Sequence, residues 1–298
     1  MKTYVITGGT GKTGKSLGLK LLASGHKVRI ICRDAEKAEE LKRKGAEIFI
    51  GDNLDEDFLK GVFSGADAAY VLLPIDLQAE DYTATQVAHA TAFRDAIISQ
   101  GVKYVVTLSS VGAHQDKGTG VVLGLHKMEE LFNAVPDLNV RHLRATYFME
   151  NTLNQIHSIK TNGFMAGPEN GNATFAIIAA QDIAAAAYEN LIALDFEGKS
   201  VAYILGQRDL SYNEIAAVYG QALGIPDLKY VQIGEKDFMS AMIQMGVSPS
   251  AAGKFYEFTS LINEGKVPSF YTRSKENTTP TSIEEFAGVF KSIYQAQP

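Results

Sequence analysis

Three regularly spaced glycines near the start of the chain are the residues best suited to bind a ligand. They have the spacing G-x-x-G-x-x-G within residues 7–14, a segment that follows a β-branched run and opens a helical pattern. This spacing allows a tight turn after a strand, brings bare backbone against a pyrophosphate and packs the next helix on the sheet. The helix N-terminus adds free N–H donors and partial positive charge. We predict a dinucleotide-phosphate loop formed by Gly8, Thr10, Gly11, Lys12, Thr13 and Gly14.

The end of the next predicted strand, residues 27–33, carries a charge that would select the cofactor. In a β-α-β unit of this kind, that position lies beside the adenosine ribose. An acid there accepts the 2′-hydroxyl, whereas an arginine neutralises a 2′-phosphate. Arg33 stands at this point, which predicts NADP(H) as the cofactor and makes NAD(H) the less favoured one. A shift of the strand end by one residue would instead place Asp34 at the ribose and favour NAD.

Two serines and a histidine are candidates for chemistry on a substrate. Ser109 and Ser110 end the fifth predicted strand, at the edge where wound α/β sheets bind ligands, and a hydroxyl there could reach the nicotinamide or a substrate carbonyl. Serines at strand ends also form local backbone hydrogen bonds. On the following helix, His126 could donate a proton near neutral pH, or it could simply contact Glu130 one turn away.

Lys127 is the third catalytic candidate, because its ammonium group could hold the ribose or stabilise an oxyanion. Neighbouring residues on a helix point about 100° apart, so His126 and Lys127 are not expected to share one task.

Alternating strand and helix patterns define the elements that must position these residues. Such alternation predicts an α/β fold with a doubly wound, parallel, Rossmann-like sheet. The predicted strands are 2–7, 27–33, 46–50, 67–72, 103–108 and 140–144. The runs 68–73 and 104–108 are almost continuously apolar, as expected of central strands covered on both faces. Residues 81–100 form a long helical pattern that Gly101 ends.

The chain becomes less regular after residue 145, where turn-forming pairs accumulate. Residues 179–194 still predict a helix and 201–205 a strand, and Ser211 with Glu214 forms a capping box. We predict an NAD(P)-binding domain at 1–150, to which 175–222 returns. Residues 151–174 and 223–298 would form a smaller, mainly helical substrate domain. The methionines and aromatic residues within 226–270 either line a pocket for a flat apolar substrate or form core.

Composition excludes several classes of function. The 298 residues are 46% hydrophobic and 21% charged, and the net charge of −6 gives no basic surface for nucleic acid. A single cysteine, Cys32, rules out a disulfide within the chain and a cysteine-based metal site, and we predict no metal. Neither a leader segment nor an apolar run of about 20 residues is present, so we expect a soluble cytoplasmic protein. A homodimer is compatible with the sequence.

In combination, these motifs resemble the NmrA-like branch of the atypical short-chain dehydrogenase/reductase superfamily. The matching segments are TGGTGKTG at 7–14, Arg33, GDNLD at 51–55, LSSVGA at 108–113, GLHKMEELF at 124–132, LRATYFMEN at 143–151 and QDIAAAA at 181–187. The resemblance implies a Rossmann-like NAD(P)-binding domain, a smaller C-terminal domain and a cleft between them. Family members include quinone reductases, other NADPH-dependent reductases and regulators that bind the dinucleotide without turnover.

The resemblance also assigns residues to the cofactor. It implies that Asp52 and Asn53 lie near the adenine and that Leu73 and Pro74 flank the cofactor's ribose. If the protein is a reductase, Tyr147, just past the sixth strand, would help to wall the site. Histidine is found at the position of His126 in many NmrA-like sequences. The Tyr-x-x-x-Lys pair of classical superfamily members is missing from the corresponding helix.

Two functions fit these observations. One is an NADPH-dependent reductase of a quinone, an enone or a similar apolar carbonyl compound, for which a missing tyrosine is tolerable because the cofactor supplies most of the chemistry. The alternative is a redox-sensing regulator that binds NADP(H) without turnover and signals to a protein partner. Nucleotide-sugar epimerisation is disfavoured, because it relies on the missing tyrosine.

Overall fold

The computed structural model describes residues 1–297, which alternate between strands and helices as far as residue 145. The strands are β1 (Thr3–Ile6), β2 (Lys27–Cys32), β3 (Glu47–Ile50), β4 (Ala68–Val71), β5 (Tyr104–Ser110), β6 (Asn139–Ala145), β7 (Tyr147–Phe148), β8 (Met165–Gly167), β9 (Phe175–Ile178), β10 (Lys199–Ile204), β11 (Asp209–Leu210) and β12 (Tyr230–Gln232). The α-helices are α1 (Lys12–Ala23), α2 (Ala35–Arg43), α3 (Glu56–Phe63), α4 (Tyr82–Ser99), α5 (Leu123–Asn133), α6 (Gln155–Asn162), α7 (Ala180–Ala193), α8 (Tyr212–Leu223), α9 (Glu235–Gln244), α10 (Pro249–Asn263) and α11 (Ile283–Ala296).

Seven parallel strands form the main sheet in the order β10-β6-β5-β4-β1-β2-β3. The chain builds outward from β1 through β2 to β3 and then crosses to β4 on the other side of β1. This reversal opens a crevice at the carboxyl ends of β1 and β4, the position at which wound sheets bind ligands. Helices cover both faces: α1, α2 and α7 pack on one and α3, α4 and α5 on the other. The fold is therefore the predicted doubly wound α/β fold.

A second apolar core lies beyond the carboxyl edge of the main sheet. It joins the small sheets β11-β9-β7 and β12-β8 with α6, α8 and α11. Of the segment 175–222, α7 and β10 pack with the main sheet, whereas β9 and α8 contribute to this second core. Buried Asp182 at the start of α7 accepts hydrogen bonds from the Thr281 backbone and hydroxyl at 3.1 and 2.7 Å. This contact anchors the C-terminal segment to the main sheet.

The predicted strands of the main sheet agree with the observed ones to within two residues. Every residue of β4 is buried, and so are the five inner residues of β5, as their continuous apolar runs predicted. Asp81 caps α4, and Gly101 follows it with a φ of +68°, in the left-handed region that favours glycine. The predicted capping box at Ser211 and Glu214 is present at α8.

Candidate functional site

The glycine loop between β1 and α1 leaves its backbone open at the crevice. Gly8 turns with a φ of +61°, and the Gly11 N–H donates to the Gly8 carbonyl at 3.0 Å. A Cβ on Gly14 would lie 2.5 Å from the Gly8 oxygen, and one on Gly9 would lie 2.5 Å from Ile30 Cγ2. No side chain caps α1, so its first N–H groups remain available to an anion. This geometry fits a pyrophosphate.

The other side chains of the loop point in different directions. Lys12 donates from Nζ to the Glu150 carbonyl at 3.1 Å, and burial lowers the pKa of its ammonium group. Buried Thr13 accepts a hydrogen bond from the Tyr70 hydroxyl at 3.4 Å and so faces the interior. Thr10 is half-buried beside the crevice. The loop therefore offers mainly backbone and one cation.

Thr7 fixes the distance across the crevice, a role that the sequence did not indicate. Its hydroxyl donates to the Leu72 carbonyl at 2.9 Å and accepts from the Leu72 N–H at 2.7 Å. These two bonds tie the end of β1 to the end of β4. The glycine loop is thereby held against the strand that starts the second half of the sheet.

Arg33 and Asp34 have separate surroundings although they are neighbours. Arg33 follows β2, is exposed and has no ion-pair partner within residues 1–297. Asp34 caps α2: its carboxylate accepts from the Glu36 N–H at 3.0 Å and lies 3.5 Å from Lys37 Nζ. The carboxylate is therefore engaged within its own helix, while the guanidinium is free to meet a ligand.

The residues expected near the adenine and ribose lie after β3 and β4. Asp52 is exposed and accepts a hydrogen bond from the Leu54 N–H at 2.9 Å, whereas Asn53 Oδ1 is buried without a partner. Leu73 is only 3% exposed and packs in the core under the sheet, so its backbone rather than its side chain faces the crevice. Pro74 is half-buried.

Ser109 belongs to a buried polar network at the end of β5. Its hydroxyl donates to Glu129 Oε1 at 2.5 Å, and Glu129 pairs with Arg144 at 2.5 Å. Arg144 also donates to the Tyr203 hydroxyl at 2.9 Å. Ser110 is partly exposed and donates to the Val111 carbonyl at 3.0 Å. The Ser109 hydroxyl is therefore committed to the protein, and Ser110 lies closer to the crevice.

His126 and Lys127 both reach the same carboxylate on α5. His126 bonds through Nδ1 to the Ala113 carbonyl at 2.9 Å, which places the proton on Nδ1, and its Nε2 lies 3.3 Å from Glu130 Oε1. Lys127 Nζ donates to Glu130 Oε2 at 2.7 Å from the protein surface. The backbone contact holds the imidazole of His126 in a fixed orientation, with Nε2 turned towards Glu130.

Tyr147 points into the second core rather than along the crevice. Its hydroxyl lies 3.0 Å from that of Tyr212, and its ring meets Phe175 edge-on with centroids 5.4 Å apart. Burial raises the pKa of Tyr147. Its phenol is thus a poor proton donor in this position, and its ring forms the wall between the crevice and the second core.

Some buried polar atoms have no hydrogen-bond partner in the protein. Such atoms are costly unless a ligand or water satisfies them. In residues 1–297, Asn53 follows β3 and Thr146 follows β6, at the carboxyl edge of the main sheet. The other such atoms belong to Thr83, Gln86 and His89 on α4, Thr119 before α5, His126 on α5, Arg141 within β6 and Thr279 near the C-terminus.

A cavity of about 770 Å³ lies at the opposite, amino edge of the sheet, where Tyr104, Asn139 and Lys199 begin their strands. None of the predicted site residues lines it. Within the described part of the chain, His, Cys, Asp and Glu form no group of three that could hold a metal ion. No helix there is long and apolar enough to cross a membrane.

Known proteins resemble this chain in sequence. Residues 1–287 match the model of the NmrA-like family. The NAD(P)H azoreductase of Xenophilus azovorans is 28% identical over 98% of this chain and 96% of its own length.

Two solved structures are similar in fold. The NADPH-dependent quinone oxidoreductase of Escherichia coli in complex with NADPH has a TM-score of 0.80 at 20% identity, over 96% of this chain and 99% of that one. The negative transcriptional regulator Nmra in complex with NAD has a TM-score of 0.75 at 17% identity, over 99% of this chain and 97% of that one. At this level of identity the likeness shows the fold alone.

Proposed function

The chain belongs to the NmrA-like family, and we propose that it is an NADPH-dependent reductase that transfers hydride to a quinone, an enone or a similar apolar carbonyl compound. The observation that carries the proposal is the difference between the surroundings of two neighbouring charged residues after β2. Arg33 is exposed without an ionic partner, whereas Asp34 caps α2. A guanidinium at this position suits a 2′-phosphate, and the uncapped start of α1 suits the pyrophosphate.

The residues of the protein would bind the cofactor, orient the substrate and protonate the reduced product. When bound, NADPH supplies the hydride from its nicotinamide ring. The Thr7 bonds to Leu72 keep the crevice at a fixed width. His126 is the proton donor that we favour, because the Ser109 hydroxyl and the Lys127 ammonium are held by carboxylates. His126 Nε2 lies 3.3 Å from Glu130 Oε1, a contact that would orient the ring for proton donation to a reduced oxygen.

The test is a titration with NADPH and NADH followed by nicotinamide fluorescence, after which quinones, enones and an azo dye are added to the same sample. Oxidation of bound NADPH on addition supports the proposal. The azo dye is included because a relative bears the name azoreductase. Tight binding without oxidation by any of these compounds contradicts it.

The role of His126 is tested separately. His126→Ala should slow turnover about 100-fold, a typical loss for a general acid, while cofactor affinity stays the same. His157→Ala, on the exposed side of α6, is the matched control. Unchanged turnover in the first variant would make His126 a structural residue.

A sensor that binds NADP(H) without turnover is the second candidate, and one set of contacts favours it. The Lys12 ammonium group donates to the Glu150 carbonyl, and the Glu150 carboxylate accepts from the Ala180 N–H at 3.0 and 3.1 Å. The phosphate loop is thus joined to the start of α7 through a segment that leads into the second core. Binding of a dinucleotide to the loop would therefore affect the start of α7 and the second core. Binding without turnover would favour the sensor over the reductase.

A further inference from the structure

A buried carboxyl group lies in the second core without a cationic partner. Glu169, which follows β8, is only 8% exposed and forms no ion pair within residues 1–297. Its Oε2 accepts a hydrogen bond from the Tyr230 hydroxyl at 3.0 Å, and the side chain of Thr259 is a second hydrogen-bond partner. Burial raises the pKa of Glu169 from its ordinary value of 4.5. The carboxyl group is therefore surrounded by hydroxyl groups and not by charges.

Three tyrosines connect this carboxyl group to the wall of the crevice. The ring of Tyr230 stacks on that of Tyr212, with centroids 4.5 Å apart and planes 20° apart. The Tyr212 hydroxyl lies 3.0 Å from that of Tyr147, which also hydrogen-bonds to the Asn151 side chain. All three tyrosines interact electrostatically with Glu169. A change at the carboxyl group can thus reach Tyr147 through direct contacts.

Tyr147 stands beside the part of the crevice in which a substrate would react. Only one residue separates it from the end of β6, and β6 pairs with β5 as far as Ser110 and Ala145. The Val111 N–H then donates to the Ala145 carbonyl at 2.9 Å, so the two chains stay adjacent as they leave the sheet. The nicotinamide of the proposed cofactor would lie in the half of the crevice built by β4, β5 and β6. Tyr147 is a wall of that half.

Close packing prevents water from reaching the carboxyl group in this arrangement. Gly167 ends β8 against it: a Cβ there would lie 2.6 Å from Tyr230 Oη and 2.7 Å from Glu169 Oε2. An unpaired charge is strongly disfavoured in such an interior. Ionisation of Glu169 would therefore require the packed residues to separate and admit water.

We propose that Glu169 is a positioning residue for substrate binding, whose neutral carboxyl group holds Tyr230 and Tyr212 in place and through them the ring of Tyr147. The inference rests on the proposed reductase function and extends it to a residue of the second core. The groups that face the carboxyl are the three tyrosines, from β7, α8 and β12, and Thr259 from α10. Burial raises the pKa of each tyrosine, so none of these groups is charged near neutral pH.

Substrate binding should consequently weaken as the pH rises. The pKa of Glu169 is raised in the folded protein, so the group keeps its proton above pH 4.5 and loses it only at higher pH. Once it is ionised, Tyr147 loses its support. The KM for a quinone should rise about 10-fold between pH 6 and pH 9, the effect of a shift of one pKa unit. The affinity for NADPH should not follow this change.

The experiment compares the wild type with Glu169→Gln, Tyr230→Phe and the control Glu284→Gln. Glu169→Gln has nearly the shape of the neutral carboxyl group and does not titrate, so it should keep the low KM at every pH. Tyr230→Phe keeps the stacked ring but loses the hydroxyl, so its KM should be about 5-fold higher already at pH 6. The carboxylate of Glu284 is exposed on α11, and its variant should behave as the wild type does.

Tyrosine fluorescence follows the same network without turnover, because the chain has 13 tyrosines and no tryptophan. The wild-type signal should change with pH at the midpoint found for KM, and Glu169→Gln should lack this change. The same pH profile of KM in the wild type and in Glu169→Gln would overturn the inference, and so would an unchanged KM in Tyr230→Phe. A wild type that reduces no quinone would instead reject the proposed function, while the fluorescence would still show whether Glu169 acts on the tyrosines.

Discussion

The two ends of the crevice differ in whether their charged side chains are paired. At the end formed by β2 and β3, where the adenosine of the proposed cofactor would lie and which we call the adenosine end, Arg33 is exposed without an ionic partner and Asn53 Oδ1 is buried without a hydrogen bond. At the other end, past β5, Ser109 and Arg144 are both bound to the buried carboxylate of Glu129. The first end leaves the charge of Arg33 unpaired, whereas the second pairs its charged groups with one another and leaves the neutral atoms His126 Nε2 and Thr146 Oγ1 without a hydrogen bond.

This difference indicates which part of the function depends on side chains. Open groups at the adenosine end are available to a ligand, so binding and cofactor choice should be sensitive to single substitutions there. Groups beyond β5 that already satisfy one another serve first to hold the fold together, and a substrate would have to compete for them. Hydride transfer needs little beyond positioning and one proton donor, which agrees with such an arrangement.

The largest expected effect is a loss of stability when the buried ion pair of Glu129 and Arg144 is broken. Glu129→Ala leaves the Arg144 guanidinium buried and unpaired, because the carboxylate it removes is 3% exposed and lies 2.5 Å away. The free energy of unfolding should fall by about 3–5 kcal/mol, measured by urea denaturation. The control Glu284→Ala removes an exposed ion pair with Arg208 and should cost below about 1 kcal/mol. Equal losses would mean that the buried network does not stabilise this end.

The next effect tests the open end through the phosphate loop. Gly14→Ala brings a Cβ within 2.5 Å of the Gly8 oxygen, so the loop must shift. Its backbone N–H groups would then lose about two hydrogen bonds to a bound phosphate. Affinity for NADPH should fall more than about 100-fold, measured by nicotinamide fluorescence. Gly61→Ala, where no atom lies within 4 Å of the new Cβ, should bind normally. Normal binding by Gly14→Ala would contradict a phosphate site in this loop.

Arg33→Ala should change the affinity for NADPH but not the affinity for NADH, which tests the role of the open end in cofactor choice. Losing a charge-assisted contact to the 2′-phosphate should weaken NADPH binding by about 1.5–3 kcal/mol and leave NADH binding unchanged. Asp34→Ala is the matched neighbour: it removes the cap of α2 and should reduce stability by about 1 kcal/mol without changing cofactor choice. An equal loss for both cofactors in Arg33→Ala would rule out the assignment to NADP.

The last effect is a pH dependence of stability that comes from His142, a buried residue of β6. His142 is fully buried between Thr107 and Asn133, and burial lowers its pKa from 6.5 to about 4. Below pH 6.5, His142 therefore becomes protonated in the unfolded chain, whereas in the folded protein it stays neutral down to about pH 4. Stability should fall by about 2 kcal/mol between pH 7.5 and pH 5. In His142→Gln this contribution to the slope should disappear, and an unchanged slope would assign it to other groups.

Much of the fold was predictable because its signals are local. Periodicity located the first six strands and α4, and the spacing of Gly8, Gly11 and Gly14 located the turn that opens α1. The buried ion pair of Glu129 and Arg144 was not predicted, because nothing in the sequence shows that residues on a helix and a strand will face each other in a dry interior. The same holds for Thr7 and Leu72, which are 65 positions apart.

The sequence by itself determined the order of strands and helices, the uncapped glycine turn and the arginine at the end of β2, since each depends on residues a few positions apart. Only the tertiary structure decided which polar groups are free. In the folded protein, Asp34 accepts a hydrogen bond within its own helix and Ser109 donates one to Glu129, whereas His89 Nδ1 has no hydrogen-bond partner. The physical reason is that a hydrogen bond is satisfied by whatever the fold brings within about 3 Å, and distance along the chain does not fix that.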